Sequence, residues 1–258
     1  SRAAAGVCRP RPLLRAALTR QGVIGTAPPR LGGAYPIQRP HHLTTTTFRG
    51  SPMSSSTSAA PFILAIGGSR RLSPAGAETA RLVSSALLAA GYRLAVGCAT
   101  GADAAVITAA VALWRAPQLL IHTAFGPVTG SLSCYAVAGS GSCSATFAVA
   151  TARNAGAWIT AWAGGGPGLT FPQRLSNRTR AVVRAATVGG VVICDGPPGT
   201  GSALLCRSLA ARGLPIWLFP VGWRAQHPLP VAGTWSWGWR SMLGVDLPCW
   251  HLPAGRGG

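Results

Sequence analysis

The sequence predicts an α/β chain built on a doubly wound, mainly parallel sheet. Two observations carry that expectation. Short apolar runs of strand length alternate with helical patterns between Pro61 and Pro220, with small or turn-forming residues at most changes of pattern. The runs are also continuous rather than alternating, as in strands covered on both faces.

The elements follow in order. Phe62–Ile66 is an apolar run that stops at Gly67-Gly68 and reads as a buried parallel strand. Ser73-Pro74 supplies an N-cap serine and a proline for the first helical position. Ala75–Ala90 carries helical spacing through Ala80, Val83, Leu87 and Leu88, and Gly91 stops it. Arg93–Val96 is a second strand ending at Gly97, Ala102–Trp114 a second helix, and Leu119–Phe125 a third strand. Residues 126–170 are rich in Gly, Ser, Ala and Thr, with GSGS at Gly139–Ser142 and GGGPG at Gly164–Gly168. Strand-like pieces lie at Thr146–Ala150 and Ala157–Trp162. An insertion or flexible lid beside a ligand cleft fits this stretch, and so does low-complexity filler. Alternation then returns, with a helix over Arg174–Ala186, a strand over Gly190–Cys194, a helix over Ser202–Arg212 and a strand over Leu214–Phe219. Strand–helix alternation through short Gly or Pro turns is the pattern of a Rossmann-like sheet, expected over residues 61–221.

The flanks differ. Residues 1–60 are rich in Arg, Pro, Ser and Thr and lack hydrophobic periodicity, which predicts disorder. Three readings fit them: a mis-called extension ahead of a start at Met53, an organellar transit peptide over residues 1–52, or a genuine basic tail. Residues 222–258 hold Trp223, Trp235, Trp237, Trp239 and Trp250 and are too few for a second core. They are expected to wrap back over the domain. The Trp235–Trp239 run reads as sheet packing or as a stacking surface for bases.

Composition bounds the function. All 23 basic residues are arginine, and charged residues are only 10% of the chain, against about a quarter in ordinary proteins. With abundant Ala, Gly and Pro this fits a GC-rich coding sequence. Arg2, Arg9, Arg11, Arg15, Arg20, Arg30, Arg39 and Arg49 precede Met53 in a stretch without acids; without those eight the charge of +19 falls to +11. The remaining arginines are spread out, not bunched as in a nucleic-acid stripe. The seven cysteines include no CxxC pair, so neither a zinc site nor a disulfide framework is indicated. Cys98, Cys194 and Cys206 read as small buried hydrophobes, and the expected compartment is reducing and cytoplasmic. It is organellar if the transit peptide is genuine. His122, His227 and His251 are isolated, so no metal is expected, and no apolar run reaches a membrane span.

Three glycine-rich junctions carry the chemistry. Each follows a strand and precedes a helix, so all lie at the carboxyl edge where ligands of open sheets bind. Small residues let backbone N–H groups approach a phosphate, and a helix N-terminus favours an anion. The first junction is Gly67-Gly68-Ser69-Arg70-Arg71, where Arg70 is a permanent bidentate cation. The second runs from Gly97 through Thr100 and Gly101 to Asp103, which reads as a ribose contact or as a first-turn acid. The third is Gly196-Pro197-Pro198-Gly199-Thr200-Gly201-Ser202. Its GPPGTG is similar to an ATPase phosphate loop, but Ser202 and Ala203 stand where Lys and Ser/Thr are required, which argues against ATP hydrolysis.

Taken together, IGGSRRLSPAG, GYRLAVGCATGADAAV and GTGSALLCRSLAARGLPIWLFP resemble the SLOG superfamily. That group includes the DNA-processing protein DprA/Smf, LOG-type nucleotide phosphoribohydrolases and YspA-like proteins. The resemblance covers roughly Phe62–Val221. RLSNRTRAVVRAA is similar to an arginine-bearing helix of several members, which implies that Asn177 and Arg178 face the cleft. The resemblance implies a Rossmann-like fold and binding of nucleotides, nucleotide-derived ligands or nucleic acid. The catalytic glutamate that follows Gly-Thr in LOG enzymes is absent after Gly199-Thr200. The acids of the chain are Glu78, Asp103, Asp195 and Asp246, of which only Asp103 and Asp195 are placed for acid–base work. The catalytic residues therefore stay unassigned, and no cofactor is expected.

Three functions follow. The first is nucleotide binding or sensing without catalysis, at Gly67, Gly68, Ser69, Arg70, Gly97, Thr100, Gly101, Asp103, Asn177, Arg178, Gly199, Thr200, Gly201 and Ser202. The second is DprA-like binding of single-stranded DNA. The third is cleavage of a nucleotide N-glycosidic bond with Asp103 on ribose. Partners are a nucleotide or single-stranded DNA, and a second copy of the chain.

Overall fold

A computed structural model describes residues 61–126, 145–166, 168–222, 229–242 and 245–255. The expectations for residues 1–60, for Gly139–Ser142 and for Trp223 and His227 lie outside the described residues.

The elements are β1 (Ile63–Gly68), α1 (Pro74–Ala89), β2 (Arg93–Val96), α2 (Ala102–Ala112), β3 (Leu119–His122), α3 (Thr146–Asn154), β4 (Trp158–Thr160), α4 (Phe171–Ala185), β5 (Gly189–Asp195), α5 (Thr200–Ala210), β6 (Ile216–Val221), β7 (Ser236–Met242) and β8 (Val245–Leu252). The strands form one sheet in the order β4-β3-β2-β1-β5-β6-β8-β7. β1 to β6 are parallel, and β8 and β7 are antiparallel additions. This is a Rossmann-like, doubly wound sheet, as the alternation predicts.

The sheet is entered at β1 in the middle, and the chain winds outward through β4, then crosses back to β5 on the other side of β1. Connections diverge at that point, which opens a crevice at the carboxyl edge between β1 and β5.

Alternating side chains in the strands explain the two layers. Leu64, Ile66, Leu94 and Val96 pack with α1 and α2 in one core. Ala65 and Ala95 point the other way, under α4 and α5, with Val182, Leu205 and Leu209. Small strand residues on that face let the two helices sit close to the sheet. At the next outward step along β1 and β2 come Gly67 and Gly97, where the space becomes a cavity.

Two expectations are corrected. Thr146–Ala150 belongs to helix α3, not to a strand. Its β-branched and aromatic residues favour a strand locally. However, Val149 and Ala152, three apart, are its buried residues, and the contact with α2 overrides that preference. The tryptophan-rich end does not wrap over the domain. β7 and β8 form an antiparallel pair that extends the sheet beyond β6, with Trp237 against Trp250 (ring centroids 5.1 Å) and Trp217 on His251 (5.3 Å). Sheet pairing satisfies the backbone groups that a wrapped loop would leave open. Of the stretch read as an insertion, residues 145–166 continue the strand–helix alternation and 127–144 lie outside the described residues. Among the described residues no helix is long and apolar enough to cross a membrane.

Candidate functional site

A cavity of about 320 Å³ opens where β1, β2, α4 and α5 meet. Gly67, Gly68, Arg70, Gly97, Asp103, Arg178, Thr200, Gly201 and Ser202 line it.

The first loop is fixed from both sides. Ser69 N donates to Ile193 O at 2.9 Å, and Ser69 Oγ accepts from Asp195 N at 3.0 Å. Ser69 therefore ties the loop to β5 and does not line the cavity. The Asp195 carboxylate accepts from Ser73 N, and Gly76 N donates to Ser73 Oγ at 3.1 Å. Asp195 thus sits at the start of α1, where a negative charge is favourable. Arg70 is left exposed at the rim.

The second loop supports the first. Gly101 has φ +76, and a side chain there would overlap the Ser69 and Arg70 backbone. Ala102 N donates to Ser69 O at 2.9 Å, and Thr100 Oγ1 donates to Arg70 O at 3.2 Å. Thr100 and Gly101 thus position Arg70 from behind and are not cavity walls. Asp103 turns inward. Its Oδ2 accepts from Ala99 N at 3.0 Å and from Arg178 Nη1 at 2.7 Å. Both members of that ion pair are buried. The Arg178 Nε finds no partner among the described residues. Asn177 points elsewhere, donating to Gly164 O at 3.3 Å and accepting from Arg180 Nη1 at 3.1 Å.

The third loop differs from its neighbours. Around it, Ser73 and Asp195 satisfy the start of α1, and Gln173 Oε1 accepts from Thr170 N at 2.8 Å at the start of α4. α2 carries Asp103 in its first turn. α5 begins at Gly199 with no side-chain cap and no acid in its first turn. Its orphan N–H groups and positive dipole end are available to an anion.

Acid–base groups are scarce here. Asp103 is held in its ion pair, Asp195 caps a helix, and Glu78 pairs on the surface with Arg81. Burial pushes the Cys194 thiol up to about 11 and raises Cys98 and Cys206 as well, so these thiols are poor nucleophiles. His122 lies on β3, with neither ring nitrogen hydrogen-bonded among the described residues. Burial, then the charges of Arg178 and Arg184, lower its pKa to about 4, so it is neutral at pH 7.

Sequence reasoning placed Arg178 of α4 at the cleft but missed the rest of that wall. Phe171, Leu175, Thr179 and Val182 line the cavity beside Arg178. Their spacing of three and four is the available signal, but a core-facing stripe has the same spacing.

No family model matches the sequence, and no curated protein matches it. Among solved structures the chain is similar to the DNA processing protein A of Helicobacter pylori, the subject of a study of its single-stranded DNA binding mode. Identity is 17%, the match covers 66% of this chain and 69% of that one, and the TM-score is 0.47. It is also similar to the DNA processing protein A (DprA) of Streptococcus pneumoniae, at 20% identity, covering 63% of this chain and 51% of that one, with TM-score 0.46. This chain spans about half the length of the latter. The likeness is one of fold.

Proposed function

We propose that the cleft binds the phosphate of a nucleotide or nucleotide-derived ligand and does not turn it over. One observation carries this reading. The uncapped start of α5 lines the same cavity as Arg70, and the carboxylate of that cavity, Asp103, is already neutralised by Arg178. What remains is a net positive site with a dipole, a cation and close backbone. That combination favours an anion. The same pairing removes Asp103 from service as a general base or free ribose acceptor, so hydrolysis of an N-glycosidic bond is not part of the proposal.

A second reading takes the phosphate as one unit of single-stranded DNA. Exposed Arg71 beside Arg70, and exposed Arg180 and Arg184 on α4, favour it, because a strand presents several phosphates at once. It accords with the DNA processing proteins of similar fold but does not rest on them.

Calorimetry with nucleoside monophosphates and with a short oligonucleotide tests both. Arg70→Ala is expected to abolish or strongly weaken binding of either. A strand contacting several arginines loses affinity steeply with added salt, whereas a single phosphate shows a shallow dependence. No binding of any nucleotide or oligonucleotide by the intact chain overturns the proposal.

A further inference from the structure

One wall of the cavity has a chemistry that phosphate binding does not use. Phe171 lines the cavity and is 37% exposed. It is the first residue of α4, held between the Thr170–Gln173 cap and Pro172. One side of its ring is backed by Phe125, at 6.0 Å between centroids and 19° between planes. Phe125 is buried, and the Arg174 guanidinium sits 5.3 Å from its centroid and 5.7 Å from that of Trp162. Arg174 is itself buried and donates to Leu169 O and Gly165 O, at 3.1 and 3.4 Å. Trp162 adopts φ +57, a backbone conformation that a bulky residue keeps only when its surroundings fix it. Here Gly165 N donates to Trp162 O at 2.9 Å. Two rings, a cation and a third ring thus form one run, whose Phe171 end is partly exposed and lines the cavity.

A rigid, flat, partly exposed ring beside an anion subsite is matched by a ligand that is flat at one end and anionic at the other. We infer that Phe171 is the stacking platform for the purine or pyrimidine ring of that nucleotide, a role a sugar phosphate or an inorganic phosphate does not fill. This rests on the phosphate reading above. Leu175 and Leu205, which also line the cavity, offer apolar contact to the ring edge. The Arg174 cluster does not touch the ligand; it holds Phe171 in place and lowers the cost of ordering it on binding.

The test compares adenosine monophosphate, ribose 5-phosphate and inorganic pyrophosphate by calorimetry on the full chain. The intact chain is expected to bind adenosine monophosphate more tightly than ribose 5-phosphate. Phe171→Ala is expected to weaken adenosine monophosphate about ten-fold or more, as loss of a base–aromatic stack does, and to leave ribose 5-phosphate unchanged. Phe171→Tyr is expected to retain the preference. Phe171 is partly exposed at a helix start, so these variants fold, and circular dichroism checks that. If the intact chain binds both organic phosphates equally, or if Phe171→Ala weakens both alike, the stacking inference fails while the phosphate reading stands. If none of the three binds, the phosphate reading fails and takes this inference with it.

Discussion

The guanidinium of Arg178 occupies the space that a side chain at Gly97 would need. A Cβ built on Gly97 overlaps Nη1 of Arg178, and the same guanidinium reaches Asp103 at 2.7 Å. The ion pair joins α2 to α4 directly against the loop that leaves β2. The first prediction follows from it. Gly97→Ala must displace Arg178 or the strand, because the obstructing atoms are a buried ion pair and not the end of a free chain. Overpacking of this kind costs about 1–3 kcal/mol, and detaching the pair adds to it. Thermal unfolding is expected to show a clear fall in Tm together with loss of nucleotide binding. An unchanged Tm would show that the cleft yields without cost.

The ion pair itself supports a second prediction. Removing one partner leaves the other charge buried, which costs about 3–5 kcal/mol, whereas removing both with apolar replacements costs much less. Asp103→Asn and Arg178→Met are each expected to destabilise strongly, and the double variant, which leaves no buried charge but keeps an amide to accept from Ala99 N, to recover part of the loss. Urea unfolding of all four proteins closes the cycle. Additive single effects would mean that the two side chains do not depend on one another.

These couplings mark how far the sequence could be read. The parallel strands and the three junctions were legible because each is a local signal: an apolar run, then Gly or Ser, then a helix start. The pairing of Asp103 with Arg178 spans 75 positions and leaves no local trace. The same holds for Ser69, read as a ligand contact, and Asp195, read as placed for acid–base work, which tie two loops together across 126 positions. Thr146–Ala150 misled because its composition favours a strand while its packing against α2 demands a helix. The aromatic wall stayed hidden because a helix face turned to a cavity carries the same spacing as one turned to the core.

His122 gives a third prediction, in pH. Its folded pKa is about 4 against an ordinary value of 6.5, held down first by burial and then by Arg178 and Arg184. A depressed histidine binds fewer protons in the native state than in the unfolded chain, so stability falls as pH drops. The contribution is full above pH 6.5 and is lost as pH falls toward 4. At about pH 4.5 the loss, discounted for partial exposure, is about 1–2 kcal/mol. Urea unfolding across this window is expected to show a shallower acid decline for His122→Leu than for the parent chain. Parallel declines would remove His122 as the source.

The last prediction separates stability from binding at the start of α5. Gly199 occupies the N-cap with φ −70 and ψ 173, an extended conformation that aspartate adopts without strain. A Cβ there meets nothing within 4 Å. Gly199→Asp therefore supplies a side-chain acceptor for the free N–H groups of the first turn and a negative charge at the positive end of the dipole. Asp and Gly differ at an N-cap by only a few tenths of a kcal/mol, and the charge adds about 0.3–1 kcal/mol at low ionic strength. The variant is expected to melt at a slightly higher temperature than the parent. The same carboxylate occupies the groups assigned to the phosphate and repels it. Affinity for a nucleoside monophosphate is therefore expected to fall, with the loss relieved by added salt as the repulsion is screened. A site kept open for an anion gives this opposition of signs, because the residue that best completes the helix also fills its ligand's place. Were α5 an ordinary helix start, Gly199→Asp would raise Tm and leave nucleotide affinity untouched, and calorimetry beside a melting curve distinguishes the two cases on a single protein.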